Sequence, residues 1–477
     1  MAKLARQCVS FIVFGVFLLP GLPPLAAQTA NGLEKVLASR SPDSWTEITV
    51  DSTRDVGTFL SVAIEPQSGA PFLSYYEGEA GDLWFAHYVG TGGNCGPSSS
   101  WHCQLVTSTG NVGRYNAIAV HRSLAGEVSV IISFFDATQF DLRVARAVCT
   151  DACPFAISTI HSGSINAPKG LHTAVAYSPT GAPWISYQGK SDPGDETVLV
   201  ASHVGAGGNC GIGGEAGKWQ CDIVLSSEGI GEYTALVFDG AGRPHIAFYD
   251  TFTGYPYYAA RIGSGGNCGP GNSWICRSSY INTHDSGQSI AVFVEPDATP
   301  HLAYVDLTTE ELIYAAYVGT GGNCGYSGVS LEWEWQCDVI DDEIGVVGSG
   351  RTVAIAGDVD NVPMIAYRDS SSDLGASVLR FAQPYYAAPA GAVPNCGPID
   401  LFYTWVCTVL DNGGEYQEEA AAVAMFSSAA GVTIAYHELD TFAFPNEGNL
   451  KVHWNRLLLF NDGFESADMS RWSANLP

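Results

Sequence analysis

Six carboxylates occupy one recurring position along this chain: Glu77, Asp136, Asp250, Asp306, Asp369 and Glu438, each ending a short apolar segment. A seventh copy of the segment has Gly189 there. Carboxylates gathered on one face could bind cations or sugar hydroxyls. Two of them in unlike environments could act as acid and base on a glycosidic bond. The competing reading is structural. An acid at the first position of a turn accepts backbone N–H bonds and holds that turn. Repetition at a single position favours the turn role and offers no reason to choose any two as a catalytic pair.

A second recurring position carries Gly57, Gly113, Gly170, Gly231, Gly287 and Gly350, with Glu418 in the last copy. The next residue varies through Thr58, Arg114, Leu171, Glu232, Gln288, Arg351 and Glu419. A constant glycine fits backbone geometry, and a variable neighbour fits a tailored surface. Arg114, Glu232, Arg351 and Glu419 are therefore candidate ligands for a polar molecule, or solvated residues that balance one another. Departures from the repeat are sharper clues. One loop is long and polar, Gln188 to Glu196. Another, running from His437 and Glu438 through Asp440 to Phe442 and Phe444, sets aromatic rings beside carboxylates. That mixture suits a sugar or a peptide, because a ring face stacks while acids take hydroxyl or amine protons.

Other recurring residues read as architecture. Trp101, Trp219, Trp274, Trp335 and Trp405 lie two residues before a cysteine, a spacing that suits packing on a disulfide. His245 and His301 share a position with Trp184 and Met364, which indicates packing rather than metal ligation. The Gly-Gly-Asn runs join strand to strand, contain no lysine and open no helix, so they read as turns and not as phosphate cradles. Among nucleophile elbows, zinc-protease helices, Walker loops and the S-x-D-x-G-x-x-W boxes of sialidase-type propellers, none is present.

These positions are set by seven copies of one unit: residues 61–77, 117–136, 174–189, 235–250, 291–306, 353–369 and 422–438. Each copy has a small apolar strand, a turn and a second strand. A third strand follows, and in most copies a fourth begins at W-x-C. Four short strands repeating every 50–70 residues predict an all-β, seven-bladed β-propeller over residues 45–456, with antiparallel blades labelled a to d from axis to rim. The last copy lacks its outer strand. Residues 45–50, WTEITV, match WQCDIV and are expected to close that blade. Antiparallel order puts the a–b and c–d turns on one face and the b–c and d–a turns on the other.

Twelve cysteines fall into six local pairs, expected to be disulfides and mostly in c–d hairpins. The expected partners are Cys95 with Cys103, Cys149 with Cys153, Cys210 with Cys221, Cys268 with Cys276, Cys324 with Cys337, and Cys396 with Cys407. Their spacings vary too widely for zinc knuckles.

Residues 1–27 have two basic residues, an apolar run and a small-residue end, as a secretory signal does; 28–44 form a lead segment. Losing that signal takes the formal charge from −28 to −30, because it holds two basic and no acidic residues. Such a charge excludes nucleic acid and anionic membrane surfaces as partners. No stretch beyond the signal is long and apolar enough to span a bilayer. The second and third strands resemble the P-x-I-A-Y-x-D … L-x-Y-A repeats of secreted bacterial propeller proteins, best at Pro244–Asp250 and Pro300–Asp306. Within the tail, 457–477, Asp462-Gly463-Phe464-Glu465-Ser466 resembles a C-terminal segment found on diverse exported bacterial proteins. The resemblance implies fold and export, with the tail as a sorting segment, and no reaction. The expectation is a monomeric, exported, non-enzymatic binding protein, extracellular, at the cell surface or in the periplasm. It would recognise a glycan or surface polymer on the b–c/d–a face. No cofactor is expected, and calcium has no support beyond the acid ring. The alternatives are a secreted glycan hydrolase or lyase, and a scaffold for a protein partner.

Overall fold

A computed structural model describes residues 45–455 apart from 151, 191–194, 280–283, 327–332, 346–351, 359, 371–376, 386–393, 398–403, 412–422, 429–430 and 441–446. The signal, lead and tail segments lie outside the described residues. The described chain forms seven antiparallel sheets arranged as blades. Blade one comprises Val56–Ile64, Pro71–Glu77, Asp82–Tyr88 and Trp101–Thr107. Blade two comprises Val112–Arg122, Val128–Asp136, Asp141–Cys149 and Ala156–His161. Blade three comprises Lys169–Tyr177, Pro183–Lys190, Glu196–His203 and Trp219–Ser226. Blade four comprises Ile230–Phe238, Pro244–Asp250, Tyr255–Arg261 and Trp274–Ser278. Blade five comprises Ser286–Val294, Pro300–Asp306, Glu311–Tyr317 and Trp333–Asp341, with a short extra strand, Cys324–Tyr326, in its cysteine loop. Blade six comprises Val353–Gly357, Pro363–Asp369, Val378–Pro384 and Trp405–Asp411. Blade seven joins Val423–Ser428, Gly431–Asp440 and Glu447–Asn455 to the N-terminal strand Thr46–Asp51.

The closure predicted from residues 45–50 is therefore present: Ile48 pairs with Val452 and Thr46 with Trp454. Joining the first strand to the last sheet ties both ends of the described ring together. Strand b is buried on both faces because each blade is covered by two neighbours; all seven residues of Pro244–Asp250 are buried. Apolar clusters accordingly straddle adjacent blades, as where Ala247 and Tyr258 of blade four meet Ile290, Leu302 and Trp335 of blade five. The small residues of strand a converge on the axis and line a channel of about 720 Å³, with Ala63, Ala119, Ala176, Val237, Val292 and Ile355 in its wall.

All six expected disulfides form, with Cα–Cα separations between 4.4 and 6.0 Å. Five share one geometry. Cys95 is bonded to Cys103, Cys210 to Cys221, Cys268 to Cys276, Cys324 to Cys337 and Cys396 to Cys407. In each of these the second cysteine lies on strand d, two residues after its tryptophan. The sixth differs. Cys149 ends strand c of blade two, and its partner Cys153 sits in the loop before strand d rather than on it. That copy has no W-x-C, so its strand d begins later, at Ala156. Asn94 brackets its loop: its side chain donates to the Cys103 carbonyl at 2.9 Å and accepts the Cys103 N–H at 2.7 Å. Asn209, Asn267, Asn323 and Asn395 do the same for Cys221, Cys276, Cys337 and Cys407. A Cβ on Gly93 would sit 1.9 Å from the Trp101 carbonyl oxygen, so that glycine is required by close approach. The tryptophans of W-x-C are buried at 3 % exposure or less. Among the described residues no helix is long and apolar enough to cross a membrane.

One local expectation is corrected. His437, Glu438, Leu439 and Asp440 are not loop residues: strand b of blade seven continues to Asp440, which pairs with Glu447. In blades one, two, four, five and six, strand b ends at the acid. Here further backbone pairing with Glu447–Asn455 carries the hairpin past it.

Candidate functional site

The carboxylates at this position of strand b are engaged within their own blades, four of them by their own turns. Glu77 accepts the N–H groups of Glu79 at 3.1 Å and Ala80 at 2.9 Å. Asp136, Asp250 and Asp306 accept N–H groups two and three residues on. Asp136 also pairs with Arg143 at 3.0 Å, and Asp369 pairs with Arg380 at 2.8 Å. Glu438 is 8 % exposed and accepts hydrogen bonds from Lys451 and, at 3.0 Å, Asn449. His437 is buried beneath Gly57 and Gly448, with neither ring nitrogen hydrogen-bonded and Asp55 4.0 Å away. Burial holds its pKa down to about 4, so it is neutral. His437 and Glu438 are thus built into the blade rather than presented on its surface. Phe442, Phe444, Arg351 and Glu419, and the side chain of Asp440, lie outside the described residues. The disulfides stand apart from any site on this face: Cys103, Cys153, Cys221, Cys276, Cys337 and Cys407 and their partners tie c–d connections, which belong to the opposite face.

The d–a turns deliver a different feature to the b–c/d–a face. Near the start of strand a in blades one to five come the glycine, the variable residue, and then a residue held in left-handed backbone. Phe59, Tyr115, His172, Tyr233 and Ser289 have φ of 47°, 52°, 48°, 53° and 58°. The ladder skips here in every case, between Thr58 and Ser61, Arg114 and Ala117, Leu171 and Ala174, Glu232 and Ala235, and Gln288 and Ala291. A left-handed aromatic residue is strained and persists only where its surroundings impose it. Four successive blades place an aromatic ring at this position. The rings touch in sequence around the axis: Phe59–Tyr115 at 4.8 Å, Tyr115–His172 at 4.3 Å and His172–Tyr233 at 5.0 Å between centroids. Tyr76 extends the arc, 5.9 Å from Phe59. Phe59, Tyr115 and His172 are half-buried, so ring surface remains open.

A polar clasp holds three of these turns in place. The Asn116 amide donates to the Phe59 carbonyl, the Thr173 hydroxyl to the Tyr115 carbonyl at 2.7 Å, and the Thr234 hydroxyl to the His172 carbonyl at 2.6 Å. Each clasp joins one blade to the next. Each is itself held by a serine on strand b of the earlier blade: Ser74 to Asn116 at 2.5 Å, Ser133 to Thr173 at 2.8 Å, Ser186 to Thr234 at 2.9 Å. Elsewhere the serine is Ala247, Ala303, Ala366 or Ala435 and its partner position is Ile290, Val353, Val423 or Leu60. The clasp therefore secures the three rings of blades one to three that carry the open surface.

Two of the four charged residues named from the sequence border this arc. Arg114 is exposed, with its guanidinium 5.8 Å from the Tyr76 ring centroid. Glu232 is half-buried; burial and the nearby Glu196 carboxylate raise its pKa. Tyr115 feels both: burial and Glu232 raise its hydroxyl pKa while Arg114 opposes them. The arc itself escaped the sequence reading. Its signal was an aromatic residue two places after the recurring glycine, in Phe59, Tyr115 and Tyr233, with His172 between them.

No family model matches the chain, and no curated protein matches it. Solved structures similar to it include AofleA from Arthrobotrys oligospora, at 11 % identity over 78 % of this chain and 95 % of that one, TM-score 0.41. A structure of polysaccharide lyase Uly1 is similar at 10 % identity over 83 % and 89 %, TM-score 0.43. A mutant of Aleuria aurantia lectin in complex with Fucalpha1-6GlcNAc is similar at 13 % identity over 76 % and 98 %, TM-score 0.41. Overlays this loose carry no argument about activity, and the fold assignment rests on the strand pairing above.

Proposed function

We propose that this is an exported binding protein that recognises a glycan or surface polymer at the axial end of the b–c/d–a face. The observation that carries the reading is the arc of Phe59, Tyr115 and His172, three open rings held in left-handed backbone and flanked by Arg114 and Glu232. Ring faces stack on the apolar faces of sugars, and the flanking guanidinium and carboxyl take hydroxyl contacts. The clasps preorganise the rings, which lowers the ordering cost of binding.

The test is a glycan and polysaccharide array probed with the oxidised protein and with Tyr115→Gly. Glycine accepts the left-handed backbone without strain, so this change removes the ring and keeps the turn. Saturable binding that weakens about tenfold or more in Tyr115→Gly supports the reading. Binding untouched by the change, or none on a folded protein, ends it.

A second reading, a glycan hydrolase or lyase, is favoured by the raised pKa of Glu232 beside Tyr115. A carboxyl biased toward its protonated form is suited to proton donation. Turnover abolished by Glu232→Gln, with binding retained, would establish it; binding without turnover of any bound glycan would exclude it.

A further inference from the structure

Blade four departs from the repeat at three positions, and all three departures are arginines. Arg243, which precedes strand b, stands where other blades have Ala70, Ser129, Ala182, Thr299 and Val362. Arg261, at the end of strand c, pairs with Trp274, as Tyr88, His203, Tyr317 and Pro384 pair with their own tryptophans. Arg277, on strand d, stands where Gln104, Asp222, Asp338 and Thr408 follow their cysteines.

The fold brings them together. All three line one pocket of about 150 Å³ between blades four and five, on the a–b/c–d face, opposite the aromatic arc. Its wall is completed by His245 and Tyr258 of blade four and Tyr317 of blade five. His245 is 2 % exposed and pairs with the Tyr258 hydroxyl and, at 3.2 Å, with Asp239. Two carboxylates face the arginines and both are engaged through Nε alone: Arg243 with Asp239 at 2.6 Å and Arg277 with Glu334 at 2.9 Å. The Nη groups of those two arginines make no hydrogen bond among the described residues. Arg261 is exposed, lies 5.8 Å from the Trp184 ring centroid, and has no carboxylate partner among the described residues. Three guanidiniums thus meet two carboxylates at a recess with several donors unused.

We propose that this pocket binds a single oxyanion group, a sulfate or carboxylate, either free or carried on a sugar. Guanidinium forks match such oxygens in geometry and form charge-assisted bonds. The volume is about five times the ~30 Å³ share of one liquid water, enough for one such group. The site is independent of the glycan reading, since it lies on the other face and shares no residue with the arc.

The test is calorimetric titration of the whole oxidised protein with sodium sulfate, sodium glucuronate and a sulfated disaccharide, at low salt. The variants are Arg261→Tyr and Arg277→Gln. Each installs the residue found at the same position in another blade, so both should melt as the parent does. The expected result is saturable binding that weakens about tenfold in each variant and falls with added chloride. Binding of sulfate identifies a site for the free anion; binding of glucuronate or the disaccharide without sulfate identifies an anionic group carried on a sugar. Tyr115→Gly should leave this binding unchanged. No saturable binding to any of the three ligands, or equal affinity in parent and both variants, overturns the proposal.

Discussion

Two buried histidines and a half-buried one are kept neutral by the fold, and each ties stability to pH. His87, His161 and His437 are held at a pKa of about 4, in each case chiefly by burial. His102 adds to the depression at His87, and Lys169 adds to it at His161. An unfolded histidine titrates near 6.5, so below that pH the unfolded chain takes up protons that the folded chain refuses. The stability contributed by the neutral state is whole above about pH 6.5 and is lost as pH falls toward 4. Each group accounts for up to roughly 3 kcal/mol across that window. His87 offers the cleanest test, because it stacks against Phe72 and Phe85, whose ring centroids each lie 5.3 Å from its own. His87→Phe should keep the stack and make melting temperature less steep in pH between 6.5 and 4. An acid limb as steep as the parent's would show that this histidine is not the source.

The serine and threonine clasps are properties of strands rather than of single residues, and they predict coupling. Thr234→Ile alone should strand the buried Ser186 hydroxyl, at a cost of about 1–3 kcal/mol. Adding Ser186→Ala recreates the Ala247–Ile290 pairing that joins blades four and five. The double variant should therefore recover part of the loss, with a coupling energy of about 1 kcal/mol by denaturant titration. Additive losses would mean that the two hydroxyls do not act as a unit. Because the clasp holds the His172 carbonyl, the single variant should also weaken glycan binding at the arc, and more than its small stability loss explains.

Ring closure concentrates charge at the junction of the two chain ends. Lys451 on strand c of blade seven lies 2.9 Å from Glu47 of the N-terminal strand, 3.8 Å from Asp411 of blade six, and in contact with Glu438. These acids raise the lysine pKa against the effect of burial. The lysine therefore stays charged, and its contribution is complete below the unfolded lysine value near 10.4 and lost only at still higher pH. Lys451→Met would leave three acids without their shared cation, at a cost of about 3–5 kcal/mol. Amide exchange should then accelerate first in Thr46–Asp51 and Glu447–Asn455, ahead of blades two to four. Uniform acceleration would mean that the ring opens as one unit and not at its seam.

Periodicity alone made the architecture legible. Period-two apolar runs, turn residues and local cysteine pairs act over short stretches of chain, so the blade count, the closing strand and all six disulfides could be read directly. Glu77, Asp136, Asp250 and Asp306 were legible for the same reason, since each bonds the turn that follows it. The aromatic arc was not, because its rings meet only when successive blades pack, and the clasps that hold three of them join residues 57 to 62 apart in the chain. Its trace in the sequence is a correlation between copies, Ser with Asn or Thr and Ala with an apolar residue, which no single copy displays. The arginine pocket likewise draws on a turn, two strands and a facing blade that come together only after folding. In blade seven, the backbone pairing of a long hairpin turned a supposed loop into strand and placed His437 and Glu438 inside it. Local interactions are written along the chain, whereas a site built across blades depends on which distant residues the closed ring makes neighbours.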